Sequence, residues 1–540
     1  MTRTSLLIIG VALFMSFLRL GSITLFDVDE AVFAEASKEM VRSGDWITPT
    51  YNGEVRYDKP ILFYWLMSAS YALFGENEFA ARFPSALAAF SLVLAVFFFV
   101  RYFRGERYAL YAAITLTISG YFFAYSHAAV TDMALTLLIT LSLLSFYLSV
   151  SLGKKGWYVY GFYLFSSLAF LTKGLIGIIF PFGIATVYLF ITGGPAGVKR
   201  AFSLKGIIIF LLVSFPWYVS QTVIHGQEFI RQFFIKHHFM RYTEVISGHR
   251  GPVYYFIPAL GAGLFPWVVF LPAGIRNVFK DSDGLSVTGS GVKNKKESGD
   301  PSLAAEKVTR HPSLNLFALV WFAFIFIFFS LSTTKLPNYI LPAIPAASLL
   351  IASGMTVEDK RGKQYSNGFL AVLSALMGLG FIISRRDLLK IGIHNLNWTA
   401  AAALTMFAMA GLGFYAVFKR KQVYGIMSAL MIIFLVILST NALPVANQYL
   451  QGTLYSYSLY AKERLHSGER IITYGINNPS IVFYSGRNII KANSKDELLT
   501  LVGNNGRTIV IMKTKDSGIL EGSGAHLHAE DGKYAIFEKP

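Results

Sequence analysis

The acids and bases of this chain gather in a few short stretches, and each stretch admits a chemical and a structural reading. FDVDEAVFAEASKEM (26–40) carries Asp27, Asp29 and Glu30. Such carboxylates can take a proton from an attacking hydroxyl. They can also open a helix, because Asp27 followed by Glu30 has capping-box spacing and acids favour a helix N-terminus. YDKPILFYW (57–65) places Asp58 and Lys59 before a proline and an aromatic apolar run. There the ammonium is either an interfacial anchor or a grip for a lipid-linked phosphate. HAAVTDMALT (127–136) puts Asp132 at the edge of an apolar segment, where an ionisable group is expensive and reads as functional unless it caps the next helix. LTKG (171–174) contributes Lys173, and FFIKHHFMRY (233–242) contributes Lys236, His237, His238 and Arg241. Paired histidines can ligate a metal, although neighbouring histidines are more often polar surface. TTKLPNYILPAIP (333–345) sets Lys335 and Tyr339 in a short connection whose prolines fix the chain.

The elements that must position these groups are membrane helices. Of the 540 residues, 54% are hydrophobic and only 15% charged, against about 25% charged in soluble domains. Apolar segments at 5–25, 80–100, 108–126, 133–151, 157–172, 174–192, 206–224, 259–275, 314–331, 339–354, 366–384, 397–417 and 424–440 each approach the roughly 20 residues that span a bilayer. The chain thus reads as an α-helical polytopic membrane protein of about thirteen spans. The N-terminus resembles a signal peptide, but Arg19 and the lack of a small-residue cleavage site favour a retained first helix. The absence of cysteine excludes thiol nucleophiles, disulfides and cysteine metal sites.

The net charge of +17 is not the footprint of nucleic-acid binding. Its Lys and Arg fall in short clusters between apolar segments: Arg101, Arg104 and Arg107; Lys154 and Lys155; Lys199, Arg200 and Lys205; Lys280 to Arg310; Lys360, Arg361 and Lys363; Lys419, Arg420 and Lys421. All alternate onto one side, which the positive-inside rule makes cytoplasmic; only Arg385 and Arg386 break the pattern. The expected organisation is a membrane domain over 1–440, with external loops at 26–79 and 225–258 and a disordered cytoplasmic linker at about 281–312. A small external α/β domain is expected over 441–540. In that domain RIITYGI, NIIKA, TIVIMKT and KYAIFEK read as strands, and Ser494 with Glu497 opens the helix DELLTLV. Pro479 and Gly486 bracket a second, shorter helix. Val32, Ala36 and Met40 would line one face of an interfacial helix in the first loop. Every candidate group maps to the external side, where distant segments can converge on one cavity.

Taken in order, DVDEAVFAEASKEM, SGDWITPTYNG (43–53), YDKP, GENEFAARFPSA (75–86), TDMALT, LTKG, HHFMRY and TKLPNYILP resemble the bacterial GT-C glycosyltransferases of the aminoarabinose lipid A transferase and protein mannosyltransferase group. The likeness covers most of the membrane domain. It implies the GT-C fold and transfer of a sugar from a polyprenyl-phosphate donor to an extracytoplasmic acceptor: a lipid A-like glycolipid, another envelope glycan or a protein. By the same resemblance Asp29 is the principal catalytic acid with Glu30 beside it, and Asp132 is the second acidic position. Lys59 holds the carrier phosphate, with Arg241, Lys173 and Lys335 near it, and His238, Tyr339 and Asp58 line the cavity. Asp58 stands where aminoarabinose transferases carry a Glu that can join a metal site, and His237 where that group tends to carry Glu. These departures leave the use of a divalent metal ion open, with Asp58 and His238 as its candidate ligands.

The chemistry so implied needs no covalent enzyme intermediate, so inversion at the anomeric carbon is expected. Asp29 would act as general base on an acceptor hydroxyl, or would position an acceptor that is itself a phosphate. The alternatives are a transporter or flippase of lipid-linked sugars, and a non-catalytic subunit of envelope assembly. Ionisable groups at external helix ends, rather than at mid-membrane, weigh against transport.

Overall fold

The computed structural model describes residues 2–540 apart from 154–155, 200–202, 234–250, 284–312, 357–358 and the single positions 395, 420, 467 and 505. The expected linker thus lies, from residue 284 on, outside the described residues. Each expected span is helical over most of its length. Among the described residues nine helices are long and apolar enough to cross a membrane singly. Two expected spans are broken: Glu106–Thr117 meets Gly120–Ser126 at 62°, and Val253–Gly263 meets Trp267–Lys280 at 114°. Ser119–Gly120 marks the first break, and Pro266, which cannot donate a helical hydrogen bond, marks the second. The helix Ile176–Lys199 is kinked at Gly194, and the first helix is the short Arg3–Phe17.

Local signals set these helices. Glu78–Arg104 begins at Asn77, whose side chain accepts from Ala80 N–H at 2.9 Å. It carries Glu78 in its first turn and Arg101 and Arg104 in its last, each complementing the helix dipole, and stops at Gly105 (φ 82°). Glycine permits close approach elsewhere. A Cβ on Gly274 would strike the Leu350 carbonyl, and one on Gly354 the Phe270 carbonyl, so the helices Leu271–Asp283 and Ile344–Thr356 touch backbone to backbone. Leu211, Leu212, Phe215 and Val219 on one long helix, and Phe369, Leu376, Leu379 and Ile383 on another, remain exposed. An apolar outer surface of this kind calls for lipid.

The two ends of the bundle differ. At one, Arg101 reaches Ser5 (2.9 Å), Thr2 donates to Glu106 (2.7 Å), Arg107 donates to Gln422 (2.7 Å), and Arg276 pairs with Asp359. Among the described residues, Arg101, Arg104, Arg107, Lys360, Arg361 and Lys419 lie at that end. The helix starts at Asp29 and Thr131, and the helix end at Lys173, lie at the other.

A helix runs unbroken from Tyr424 to Arg464, through one π turn at Leu438–Ala442, and rises from the membrane into the C-terminal sheet. It passes through residue 440, where the sequence placed the domain boundary. The sheet contains β3 (Arg470–Tyr474), β4 (Ile489–Ala492), β5 (Thr508–Lys513), β6 (His526–Glu530) and β7 (Tyr534–Lys539), in the order β4-β3-β5-β7-β6. β3 pairs parallel with β4 and β5, and the remaining pairs are antiparallel. β6, an edge strand of mostly exposed residues without apolar alternation, is absent from the sequence-based expectation. Both faces are covered. Ile471, Ile509, Ile511 and Ile536 pack on Leu454, Tyr457 and Ala461, while Ile472, Val510, Met512 and Phe537 pack on Leu498 and Val502. Burial on both sides explains the continuous apolar run of TIVIMK.

This domain grips the first loop. The Leu25 N–H donates to Tyr484 Oη (2.7 Å), and Lys38 Nζ donates to the Phe483 carbonyl (2.9 Å). In the hairpin of β1 (Thr50–Tyr51) and β2 (Glu54–Val55), the Asn52 amide exchanges two hydrogen bonds with the Ile489 backbone, extending the edge of the sheet by one side chain. The helix Asp29–Ser43 is consequently buried over most of its circumference, Glu35 and Lys38 included. That corrects the interfacial-helix expectation: the face opposite Val32, Ala36 and Met40 meets protein.

Candidate active site

The three acids of the first loop have separate fates. Asp27 is turned toward the sheet domain. Its carboxylate accepts from Ser480 N–H (2.8 Å), Ser480 Oγ (2.6 Å) and Asn478 Nδ2 (3.0 Å). With its amide turned to satisfy both partners, Gln451 donates to the same carboxylate at 3.0 Å. Burial raises the Asp27 carboxyl above its ordinary value, against the pull of these hydrogen bonds. Glu30 is turned inward. Arg82 Nε and Nη2 grip it in a bidentate pair (2.9 and 2.8 Å), and the N–H groups of Phe26 (2.8 Å) and Ala129 (2.7 Å) complete its shell. Arg82 also donates to the carbonyls of Ile23 (2.8 Å) and Thr24 (3.0 Å). The capping-box reading of Asp27 and Glu30 is thereby overturned: the helix begins after Val28 without a side-chain cap, because both acids are claimed by tertiary partners.

Asp29 stands between these two pinned neighbours, exposed and with no hydrogen bond among the described residues. Its backbone is held from both sides while its carboxylate stays open. Arg56 and Tyr125 both lie within electrostatic reach of it, and Tyr125 lies equally within reach of Asp132.

Asp132 is buried at the start of the helix Thr131–Ser151, but it does not cap that helix. It accepts from Lys173 Nζ at 2.7 Å and from Asn338 Nδ2 at 3.0 Å. Lys173 comes from the end of the antiparallel neighbour Trp157–Lys173, and its ammonium lies 5.8 Å from the centre of the Tyr339 ring. Asp132, Lys173 and Tyr339 are thus brought together, with Asn338 added by the structure. Lys335 is spent differently. Its ammonium donates to the carbonyls of Ser332 (2.6 Å), Ser330 (2.9 Å) and Phe329 (3.3 Å), closing the helix Leu314–Leu331.

At the other side of Asp29, Arg56 donates to Tyr64 Oη (2.8 Å) and pairs with the Asp58 carboxylate (3.1 Å). Lys59 is half-buried beside it, its ammonium 3.1 Å from the Asp58 carbonyl. A cavity of about 350 Å³ opens here, lined by Tyr51, Arg56, Tyr57, Asp58 and Gln232 among others. His237, His238 and Arg241 lie outside the described residues. Among the described residues no three acids or histidines are grouped to hold a metal ion, and Asp58 already faces the Arg56 guanidinium. The residues on view do not make a metal site.

Sequence reasoning missed Arg56, Arg82, Tyr125 and Asn338. Arg82 carried a readable signal: an arginine two residues into the expected span 80–100 needs a buried partner. With side chains only 1% and 6% exposed, Arg82 and Glu30 form a pair that cannot lose one member cheaply. Arg82→Met should cost about 3–5 kcal/mol, read as a lowered unfolding midpoint of the detergent-solubilised protein, and Glu30→Gln should lower it too. A normal midpoint with lost turnover in Glu30→Gln would instead put Glu30 in the chemistry.

Known proteins share parts of this sequence and its fold. A family model described as dolichyl-phosphate-mannose-protein mannosyltransferase matches residues 58–219. An uncharacterized protein of Aquifex aeolicus is 30% identical over 334 residues, covering 62% of this chain and 69% of that protein. The undecaprenyl phosphate-alpha-4-amino-4-deoxy-L-arabinose arabinosyl transferase of Edwardsiella ictaluri is 29% identical over 407 residues, covering 74% and 68%. In fold, the chain matches the crystal structure of ArnT from Cupriavidus metallidurans bound to undecaprenyl phosphate, with a TM-score of 0.80, 22% identity, and coverage of 99% of this chain and 97% of that one. A multi-pass helical bundle, a match over nearly the whole chain, and acids and lysines gathered at one end of the bundle lead to one assignment. The chain is a membrane glycosyltransferase with the GT-C fold, similar to the aminoarabinose lipid A transferase and protein mannosyltransferase group.

Proposed function

We propose that the protein transfers a sugar from a polyprenyl-phosphate carrier to an acceptor at the extracytoplasmic face of the inner membrane, with inversion at the anomeric carbon. The observation that carries this reading is the open Asp29 carboxylate, held between two pinned acids at the same end of the bundle as the Asp132–Lys173 pair. The described basic residues at the opposite end, Arg101, Arg104, Arg107, Lys360, Arg361 and Lys419 among them, support an external site. The similar arabinosyl transferases of Edwardsiella ictaluri and Aeromonas hydrophila, which are named for an undecaprenyl-phosphate sugar, support the donor class.

In this reading an acceptor hydroxyl attacks the anomeric carbon and gives its proton to Asp29. The bond from that carbon to the carrier phosphate breaks, and polyprenyl phosphate leaves as an anion. Lys59 meets that phosphate, with Arg241 contributing from the second loop and Lys173 from across the cavity. Asp132 fixes the Lys173 ammonium, and Tyr339 forms the wall beneath it. Glu30 and Lys335 hold backbone in place, Glu30 for the loop that presents Asp29 and Lys335 for the turn that presents Asn338. His238 and Asp58 line the donor side. The external α/β domain, over 441–540, braces the first loop.

Comparing envelope glycolipids and glycans of cells with and without the gene tests this function. One glycosylated envelope product should disappear while its polyprenyl-phosphate sugar accumulates; an unchanged profile would contradict the proposal.

A further inference from the structure

A cavity of about 380 Å³ opens in the sheet domain, outside the cluster described above. It lies at the carboxyl ends of β3, β4 and β5, the three parallel strands. The chain leaving β3 enters the helix Ser480–Ser485 on one face of the sheet, and the chain leaving β4 enters Lys495–Gly503 on the other. Adjacent strands whose connections part to opposite faces leave a crevice between them, which is where open α/β sheets bind ligands.

The lining is basic. Lys491, Lys513 and Lys515 surround the cavity together with Asn477, Asn493 and Asp516. The three lysines are exposed, and none is in an ion pair among the described residues, nor is Asp516. Gly475, at φ 68°, keeps the floor clear: a Cβ there would come within 3.3 Å of the Asp516 carboxylate. No arginine lines the space, so the planar fork that suits a carboxylate is missing, while three ammonium groups suit a tetrahedral anion approached from several sides. Set against one carboxylate, they leave a charge that matches a phosphate monoester. The volume exceeds what phosphate alone would fill and falls in the range of small-ligand pockets.

From this geometry we infer that the carboxyl end of the parallel strands is a binding site for a sugar-linked phosphate monoester. The chain runs from Asn477, in this cavity, directly into Asn478 and Ser480, which hold Asp27 two residues before Asp29. An occupant would therefore rest against the segment that braces the catalytic loop. The site does not depend on the transfer reaction, because binding alone reports it.

The test is calorimetric titration of glucose 1-phosphate into the full-length protein in phosphatidylcholine nanodiscs. Saturable binding is expected, with no binding of glucose. The triple variant Lys491→Met, Lys513→Met, Lys515→Met should weaken it at least ~10-fold, as loss of charge-assisted hydrogen bonds requires. Lys419→Met with Lys421→Met, at the opposite end of the bundle, should leave it unchanged. If the triple variant does not fold, Lys513→Glu alone should produce a comparable loss. Phosphatidic acid in the disc competing with glucose 1-phosphate would identify a lipid-borne monoester, and its failure to compete a soluble one. Absence of saturable binding, or equal binding by the variant and the wild type, overturns the site.

Discussion

Asp29→Asn should lower the single-turnover rate of sugar transfer by roughly 10²-fold or more, with donor affinity little changed. The substitution keeps the size of the side chain and most of its hydrogen-bonding capacity, but removes its charge and its basicity. Because Asp29 is exposed and has no hydrogen bond among the described residues, fold stability should hardly respond. The competing reading, an acid complementing a helix dipole, gives the opposite pattern: normal turnover and a stability loss of about 0.3–1 kcal/mol. Rate and unfolding midpoint measured on the same preparation separate the two.

Lys59→Met should weaken donor binding and also slow transfer. Methionine keeps the apolar stem that the half-buried site accommodates, but it removes the ammonium that meets the carrier phosphate. Loss of one charge-stabilising donor at a developing anion is worth about 10²–10³-fold in rate. The joint effect on affinity and rate distinguishes a phosphate ligand from an interfacial anchor, whose removal would alter neither. If Lys59→Met binds and reacts like wild type, the grip belongs to another cation. Lys173 is then the next choice ahead of Lys335, whose ammonium is already divided among three carbonyls.

Much of the fold was legible because its signals are local. Spans announce themselves by apolar length, and the strand TIVIMKT by a continuous apolar run. Ser494 accepts from Glu497 N–H at 3.1 Å as its spacing implied. The breaks near Ser119 and Pro266 also had local markers, but a hydropathy run does not show a bend. Edge strand β6 was invisible because its residues are mostly exposed and lack alternation.

The site was legible as a set of residue types and illegible as a set of bonds. Asp132 and Lys173 stood out as charges at helix ends, yet their 2.7 Å contact depends on two antiparallel helices meeting. Asp27, Asp29 and Glu30 could not be told apart from the sequence. The partner of Glu30 is 52 positions away at Arg82, and that of Asp27 is 453 positions away at Ser480. Those long-range partners turn two of the acids into structure and leave the carboxylate of Asp29 open.

Whether this bundle end moves a sugar from a polyprenyl phosphate is read from single-turnover transfer by the purified wild-type protein, supplied with labelled undecaprenyl-phosphate sugars and a membrane extract as acceptor. Label should leave one donor, free undecaprenyl phosphate should appear in equal amount, and the new glycosidic bond should have the opposite anomeric configuration. Donor carried across a vesicle membrane without cleavage of its sugar–phosphate bond would contradict transfer, and would make the protein a transporter.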